Sequence, residues 1–465
     1  MADIIGFKGI LYNKERISDL RDVVSPPYDI ISKDEQDIYY QRNDNNVVRL
    51  ELGKELPADN KEENRYTRAA EYLKEWLEKG ILKRDDVPSI YLYELEYRLS
   101  SGERKRLKGF FSLMLLEEFN SGKIIPHEDT FSSHKKDRLN LLRVCSANFS
   151  PIFSLYSDPE GEIIGLLSNE IDYNMPEIDI VDDEGIRHRV WTISNQRVIG
   201  CLTNKMKDKT LFIADGHHRY ETALNFRNEM RERLQKNDTK EGFDYTLMFL
   251  SNMDDKGLTI LPTHRIVTMP CKLDMNSFIN KLSNYFNVKS YNLIPSSNSL
   301  FIKGEHGGLT KAGTSEFPPL TKGDREDFQR DFLHTIKKDG KNNITIGMCC
   351  EKDRYYLLTL QEGDIDIQNK RSSAWNRLDV SIFQTLIIEK ILKIDDPIKE
   401  NHISYIKGEK EVFREIRKNS GSIAFFLNPP MIKELKEVVD AGERMPHKST
   451  YFYPKPLTGL VMNRF

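Results

Sequence analysis

Two apolar stretches separated by a short polar turn constrain the fold of this chain more than any other feature of its sequence. Residues 89–99 read SIYLYELEYRL and residues 106–119 read RLKGFFSLMLLEEF, and both alternate apolar with polar side chains over part of their length. The intervening residues 100–104 are short and polar, as in a hairpin turn. The pattern therefore predicts two antiparallel strands joined by a turn.

The other apolar segments predict a mixture of helices and strands without a fixed repeat. An amphipathic pattern over residues 64–82 predicts a helix that is stopped by Gly80, whereas residues 46–53 read as a strand. Residues 245–252 and 258–267 are predicted to pair as a hairpin. Hairpins with intervening helices favour an α+β fold of mixed, largely antiparallel sheets with packed helices over a doubly wound parallel sheet.

The chain is long enough for more than one domain. Its 465 residues suggest about two or three domains. We assign residues 1–110 to an N-terminal α/β region, 111–265 to a central core and 266–465 to a C-terminal α+β region. Residues 289–339 are rich in Ser, Gly, Asn and Lys, and they predict a mobile excursion that could close over a site.

Charge and cysteine content narrow the functional class. The 69 basic and 72 acidic residues are mixed along the chain, which disfavours nucleic-acid binding but permits a local pocket for a small anion. No apolar run approaches the roughly 18 residues of a membrane span, and the N-terminus lacks signal-peptide architecture. The five cysteines form no CxxC pair. We therefore expect a cytoplasmic protein without disulfides or structural zinc.

The strongest chemical signal lies where a predicted strand ends at Asp215 and a predicted helix follows. Gly216 allows a tight turn, and the exposed amides of a helix N-terminus attract anions. His217, His218 and Arg219 add side-chain donors, and an arginine can bind a phosphate through two hydrogen bonds. The alternative is that Asp215 only caps the helix and that the histidines are surface residues. The combination favours a phosphate site.

A second candidate is the loop sequence IIPHEDT, which places His127, Glu128 and Asp129 after a proline. A loop glutamate beside an anion site can accept the proton of an attacking hydroxyl, so Glu128 is a candidate general base. The alternative is an exposed acidic run with no chemical role.

A third candidate lies near the end of the chain, in the sequence MPHKSTYFYPKP. Lys448, Ser449, Thr450 and Lys455 are donors suited to phosphate, although a basic turn before a terminal strand is an equal alternative. Weaker signals are PTHR at residues 262–265 and the double proline of SPPYD at residues 25–29, since double prolines often mark only a rigid turn.

Several common motifs are missing from the sequence. It contains no GxxxxGK[ST] phosphate-binding loop, no GxGxxG after a strand, no HExxH and no GxSxG. The frequent nucleotide-binding and hydrolase motifs therefore do not account for the three candidates.

Taken together, VSPPYDIIS, PHEDT, ANFSPIFSLYSDP, IADGHHRYETA, LPTHRIV and MPHKSTYFYPKPLTGLV resemble a widespread microbial family catalogued as DUF1015. More distantly, the chain is similar to free-serine kinases of the ParB/sulfiredoxin-like fold, which carry a loop acid and a DGHHR-type turn. The resemblance implies a ParB/sulfiredoxin-like core within residues 111–265. The stretch between loop and turn, residues 157–209, is longer here than in those kinases, and they have no counterpart to the Lys448 loop.

The resemblance also implies roles for individual residues. Glu128, Asp215 and His218 form the catalytic group, with Glu128 as base and Asp215 either binding Mg²⁺ or ordering a histidine. Phosphate binding falls to a further set: Gly216, His217, His218, Arg219, Lys448, Ser449, Thr450 and Lys455. Substrate binding falls to His127, His264 and Arg265.

The implied activity is phosphorylation of free L-serine to O-phosphoserine, which would feed serine and cysteine metabolism. Pyrophosphate is the favoured donor because the cationic residues suit a small polyanion and no adenine-binding motif is visible; ADP or ATP is the alternative. Two other functions stay open. The chain could be a nucleotide-binding ParB-like DNA-associated module, or a phosphatase acting on a phosphorylated metabolite.

Overall fold

The computed structural model describes residues 2–127, 132–235, 239–269, 273–292, 322–350, 354–361, 371–394, 402–419 and 421–465. The chain divides into two compact units. The first comprises Met1–Thr259 and Phe452–Phe465, and the second comprises Ile260–Tyr451. Within the described ranges, no helix has the length and apolar character needed to cross a membrane.

The helices, in chain order, are α1 Lys33–Arg42, α2 Val48–Glu51, α3 Arg65–Glu78, α4 Ser132–Cys145, α5 Glu162–Ser168, α6 Gln196–Met206, α7 His217–Leu234, α8 Met275–Leu282, α9 Lys322–Asp339, α10 Asp379–Ile382, α11 Glu409–Lys418 and α12 Ile432–Asp440. A π-helical segment, Phe383–Leu392, continues α10. Short 3₁₀ turns lie at Leu20–Asp22, Tyr28–Ile30, Phe119–Ser121, Gly242–Asp244 and Trp375–Arg377.

The strands, in chain order, are β1 Ile4–Ile5, β2 Ile10–Tyr12, β3 Leu82–Arg84, β4 Ile90–Arg98, β5 Arg104–Leu115, β6 Ile124–Pro126, β7 Ala147–Asn148, β8 Ile152–Tyr156, β9 Ile178–Val181, β10 Arg187–Ile193, β11 Leu211–Asp215, β12 Tyr245–Asn252, β13 Thr259–Leu261, β14 His264–Thr268, β15 Phe286–Asn292, β16 Thr345–Cys350, β17 Arg354–Leu360, β18 Ile403–Ile406, β19 Ser422–Phe426, β20 Tyr451–Tyr453 and β21 Asn463–Arg464.

The main sheet of the first unit runs in the order β6-β11-β8-β12-β5-β4-β10-β9, and β1 pairs with β5. The predicted hairpin at its centre is confirmed, since β4 pairs with β5 in antiparallel register. Among the described strands of this sheet, the pairs β6–β11 and β8–β12 are parallel and the others are antiparallel. The predicted α+β class with largely antiparallel sheets is therefore confirmed.

One face of this sheet is covered by three helices. Side chains of α5, α6 and α7, among them Leu167, Leu202 and Leu224, form one buried cluster with Leu92 and Leu250 of the sheet. Burial of such aliphatic side chains is the main favourable term in the stability of a fold of this kind.

The opposite face carries a row of buried aromatic rings. Register places Phe111 beside Phe249 and Phe249 beside Phe153 on neighbouring strands. The ring centroids of Phe153 and Phe249 are 5.1 Å apart, and those of Tyr93 and Phe111 are 5.0 Å apart. Aromatic pairs at these separations contribute stability beyond their buried area. This row forms the floor beneath the residues described in the next subsection.

The second unit contains an antiparallel sheet in the order β15-β17-β16-β19-β14-β18. Phe332 of α9 and Phe413 of α11 pack with Tyr355 and Phe426 of the sheet in one cluster. The predicted excursion at residues 289–339 lies mostly outside the described residues, and its described ends belong to β15 and α9.

Two local predictions are wrong. Residues 46–53 contain the helix α2 instead of a strand, because the Asn46 side chain accepts from the Val48 N–H at 2.9 Å and so favours a helical turn. The predicted hairpin of residues 245–252 with 258–267 does not form. Instead, β12 lies between β5 and β8, since Asn252 after it accepts from the Asp158 N–H at the end of β8.

The three sequence regions and the two compact units differ in their boundaries. The predicted boundary after residue 110 falls inside β5, and the boundary after residue 265 falls inside β14. The division into three regions and the ParB/sulfiredoxin-like character of the central region remain proposals.

Two glycine-to-alanine substitutions should have opposite effects on stability. A Cβ on Gly109 would lie 2.4 Å from Phe249 Cε2 and 2.5 Å from the Leu250 carbonyl oxygen, whereas a Cβ on Gly200 in α6 meets nothing within 4 Å. Gly109→Ala should therefore lower the free energy of unfolding by about 1–3 kcal/mol through overpacking. Gly200→Ala should raise it by about 0.5–1 kcal/mol. Urea titration of both variants checks the difference in sign, and equal effects would contradict the packing of the aromatic row.

Candidate active site

The loop after β6 and the turn after β11 are brought together by parallel pairing of the two strands. Leu211, Phe212 and Ile213 pair with residues 124–126, so both strands end at the same edge of the sheet. His127 follows one strand end and Asp215 follows the other within two residues. Two of the three sequence candidates therefore meet in the first unit. Glu128 and Asp129 themselves lie outside the described residues.

A β-bulge sets the direction of Asp215. Ile213 pairs with Ser154, but Asp215 pairs with Phe153, so the register shifts by one residue between them. Without the shift, Ile213 and Asp215 would share the face covered by helices, because side chains alternate along a strand. The bulge places the carboxylate on the face that carries the aromatic row.

Gly216 joins this strand to α7 in a conformation that favours glycine. Its φ is 95°, and a Cβ there would lie 2.9 Å from Nε of Arg219 and 3.0 Å from its Nη2. The guanidinium thus packs directly over the glycine at the beginning of the helix. The predicted helix is confirmed and begins at His217, two residues earlier than the sequence pattern indicates.

Asp215 binds two cationic side chains. Arg219 Nη2 donates to Oδ2 at 2.6 Å, and Lys455 Nζ contacts Oδ1. Arg219 also donates to the Pro151 carbonyl, whereas its Nε is buried without a hydrogen-bond partner. Lys455 is a further 3.4 Å from a carboxylate oxygen of Asp29. An arginine and a lysine are therefore fixed side by side at the N-terminus of α7.

Two histidine rings pack against each other behind this corner. The ring centroids of His127 and His217 are 4.7 Å apart, and both residues are buried. The His127 N–H donates to His217 Nε2 at 3.3 Å, and His127 Nδ1 lies 2.7 Å from the Ile213 carbonyl oxygen. These contacts imply that Nδ1 of His127 carries a proton and that Nε2 of His217 does not. The His217 ring thus links the loop to the turn, and its assignment as a phosphate ligand remains a proposal.

Sequence reasoning gave little weight to a buried polar group next to Lys455. Tyr28 precedes Asp29 in the SPPYD motif, and its ring lies 4.1 Å from the Arg138 guanidinium carbon. Arg138 is 3.3 Å from Glu51, which also accepts from Ser150 Oγ at 2.8 Å. Burial raises the pKa of the Glu51 carboxyl, although Arg138 opposes the shift. The only sequence signal for this group was the double proline.

The remaining sequence candidates lie in the second unit. Arg265 is buried, and its Nη2 donates to the Lys448 carbonyl oxygen at 3.0 Å. Lys448 adopts a left-handed backbone conformation with a φ of 52°, and Ser449 is buried with its hydroxyl donating to the Pro446 carbonyl. Thr450 follows directly. His264 Nδ1 accepts from the Leu427 N–H at 3.3 Å. The PTHR and KST segments are thus neighbours in one unit.

The described residues do not fit the expected magnesium site. No group of three histidine, cysteine or acidic side chains among them could hold a metal ion. Asp215 uses one carboxylate oxygen for Arg219 and the other for Lys455. In this arrangement Asp215 orders two cations, and its role as a metal ligand remains a proposal.

Comparison with known families places this corner in context. The family model described as "Protein of unknown function (DUF1015)" matches residues 4–381. The chain belongs to the DUF1015 family. The match spans both the loop at His127 and the turn at Asp215, so the resemblance inferred from the sequence motifs is confirmed. No curated protein matches this DUF1015 chain.

Several solved structures are similar to this DUF1015 protein at low identity. A conserved hypothetical protein from Pyrococcus furiosus is 13% identical with a TM-score of 0.33, covering 73% of this chain and 90% of that chain. A free serine kinase in complex with AMP is 11% identical with a TM-score of 0.31, covering 71% and 83%. SbnI with a C-terminal truncation, from Staphylococcus aureus, is 12% identical with a TM-score of 0.31, covering 75% and 85%.

The burial of His264 predicts a pH dependence of stability. Burial lowers its pKa to about 4, and neighbouring Glu409 opposes the shift. In the unfolded chain the imidazole takes up a proton near pH 6.5, so the stability contributed by neutral His264 is present above that pH and is lost as the pH falls toward 4. Between pH 7 and pH 5 the wild type should lose about 2 kcal/mol more than His264→Gln, by 1.36 kcal/mol per pKa unit.

Urea unfolding of both proteins at the two pH values measures this difference. The glutamine can accept the same Leu427 hydrogen bond but cannot titrate. Parallel losses of stability in the two proteins would show that His264 is not the buried neutral group.

Proposed function

We propose that this protein is a phosphotransferase that phosphorylates free L-serine, with pyrophosphate as the favoured donor and ADP or ATP as the alternatives. The observation that carries the proposal is the pair Arg219 and Lys455, fixed on Asp215 at the N-terminus of α7. A helix N-terminus flanked by two ordered cations is suited to a phosphoryl group that gains negative charge as it is transferred.

The donor phosphate is proposed to bind against Gly216. The absence of a side chain there allows a phosphate oxygen to approach the backbone amides of His217 and His218, which begin the helix. Arg219 has hydrogen-bonding capacity beyond its two acceptors, because its buried Nε has no partner. A buried unsatisfied donor calls for an explanation, and a bound anion provides one.

The acceptor step requires a base at the loop after β6. In the proposed reaction the serine hydroxyl oxygen forms a bond to the terminal phosphorus, and the bond from that phosphorus to the bridging oxygen breaks. The products from pyrophosphate are O-phosphoserine and phosphate. Glu128 is proposed to accept the hydroxyl proton, with His218 assisting at the turn. Positioning and charge stabilisation supply most of the rate in such transfers.

The identity of the donor is open to a direct comparison. Pyrophosphate needs cationic donors and no slot for a base, which matches Arg219 and Lys455 together with the proposed phosphate-binding role of the Lys448 loop. The free serine kinase among the solved structures was crystallised with AMP, which makes adenine nucleotides the donors to compare.

Product formation tests the proposal. Purified protein, L-serine and Mg²⁺ are incubated separately with pyrophosphate, ADP and ATP, and O-phosphoserine is measured by mass spectrometry. We expect O-phosphoserine with pyrophosphate and little with the nucleotides. Product from a nucleotide alone would correct the donor, and phosphate release without serine would indicate a phosphatase. Salt-dependent retention on DNA without turnover would indicate the binding module, and no product from any donor would end the kinase proposal.

Two substitutions test the proposed roles of site residues. Lys455→Met should lower kcat/KM for the donor by about 10²-fold, as for loss of one donor to a transition-state oxyanion. Glu128→Gln should abolish turnover and leave donor binding, measured by calorimetry, within about twofold. Lys205→Met is the matched control, because Lys205 pairs with Glu162 on the surface at 2.6 Å.

Unchanged turnover in Glu128→Gln would move the general base elsewhere. Asp29, which contacts Lys455 and is partly exposed, is then the next candidate, ahead of the buried Glu51.

A further inference from the structure

The segment that carries Lys455 crosses the aromatic face of the first unit. Phe452 packs against His127 and Phe153, with ring centroids 5.8 and 6.2 Å apart. Downstream, Thr458 donates its N–H to the Ser25 carbonyl at 2.8 Å. Between these contacts lies the sequence YPKPL, in which Lys455 reaches Asp215.

Few backbone donors are available to fix this segment. Proline has no N–H, so within residues 454–457 only Lys455 and Leu457 have amide donors. The Leu457 N–H donates to the phenol oxygen of Tyr93 on β4. This bond lies two residues beyond Lys455 and is therefore placed to determine where its side chain begins.

The Tyr93 hydroxyl belongs to a longer hydrogen-bonded chain. Its oxygen is 2.6 Å from Nδ1 of His188, and His188 Nε2 is 3.0 Å from Oδ2 of Asp182. Asp182 is itself held in a turn, where its other carboxylate oxygen accepts from the Ile186 N–H at 2.8 Å. Tyr93 and His188 are fully buried.

The donors and acceptors of this chain have one consistent assignment. The Leu457 N–H can only donate, so the Tyr93 oxygen accepts from it and directs its own hydrogen to Nδ1 of His188. Nε2 of His188 then carries the proton and donates to Asp182. Burial raises the pKa of Tyr93 well above its usual value, which keeps the phenol protonated.

We propose that Asp182, His188 and Tyr93 are positioning residues that hold Leu457 and thereby place Lys455 on Asp215. The inference rests on the proposed function, since it assigns these residues to the placement of a phosphate-binding lysine. None of the three is proposed to contact the substrates. Their effect is transmitted through the Leu457 amide and the two residues that separate it from Lys455.

Tyr93→Phe tests the proposal, and the same strand supplies a matched control. Tyr91 is also buried, and its hydroxyl accepts from the Gly9 N–H at 2.8 Å and lies 2.6 Å from Asp85 Oδ2. Tyr91→Phe therefore removes an equivalent hydroxyl that is bonded to a different backbone amide. Both variants should lose similar stability, so a difference between them reports position in the fold.

The first measurement does not depend on any activity. Hydrogen exchange of the Leu457 amide should be about tenfold faster in Tyr93→Phe than in the wild type, since a weakened local bond raises local opening. In Tyr91→Phe the Leu457 amide should exchange at the wild-type rate. Equal acceleration in both variants would overturn the assignment of this hydrogen bond.

The second measurement is a double-mutant cycle on donor binding. Tyr93→Phe should weaken pyrophosphate binding by about 5- to 10-fold, as for loss of one hydrogen bond, with the KM for L-serine unchanged. In the Lys455→Met background the same substitution should have no further effect, because the positioned group is missing. Additive effects would overturn the positioning role.

The two measurements separate this inference from the proposed function. Faster Leu457 exchange together with no pyrophosphate binding in the wild type would refute the phosphate site while confirming the hydrogen-bonded chain. Normal wild-type binding with no effect of Tyr93→Phe would refute the positioning role alone.

Discussion

The arrangement of the first unit depends on one carboxylate with two cationic partners. Asp215 stands at a β-bulge and receives Arg219 from the first turn of α7 and Lys455 from a residue 240 positions away in sequence. Cations that are largely removed from water require a close opposite charge. Asp215 therefore determines where both positive groups lie, and the anion-binding character of the corner follows from that single residue.

The surrounding contacts make this arrangement rigid. His217 and His127 tie the start of α7 to the end of β6, and the guanidinium of Arg219 covers Gly216. Preorganised charges act on a reacting group without reorganising during the reaction. A corner built in this way is suited to chemistry in which charge develops on phosphate oxygens.

Part of this structure follows from local sequence patterns. The alternation in residues 89–99 and 106–119 predicts the central hairpin, and the apolar run ending at Asp215 predicts the strand before α7. These succeed because side-chain period and turn composition are local properties. Residues 46–53 were misread as a strand, since a short apolar run is compatible with either structure until the capping side chain of Asn46 is considered.

Other parts of the site have no local signature. The bulge at Asp215, the contact of Lys455 with that residue and the path from Asp182 to Leu457 all depend on pairings between distant strands. Grouping Lys455 with Lys448 by sequence proximity was reasonable, yet the two belong to different compact units. Proximity along the chain is therefore a poor guide wherever a terminal segment returns to an earlier unit.

That return has a consequence for the order in which the molecule is made. Because Phe452–Phe465 belongs to the first unit, a ribosome must complete the second unit before the first can be finished. Until then the nascent first unit has Asp215 and Arg219 but no lysine beside them. Any product that stops short of these last residues carries an unfinished corner, so only a chain translated to its end can handle an anion there.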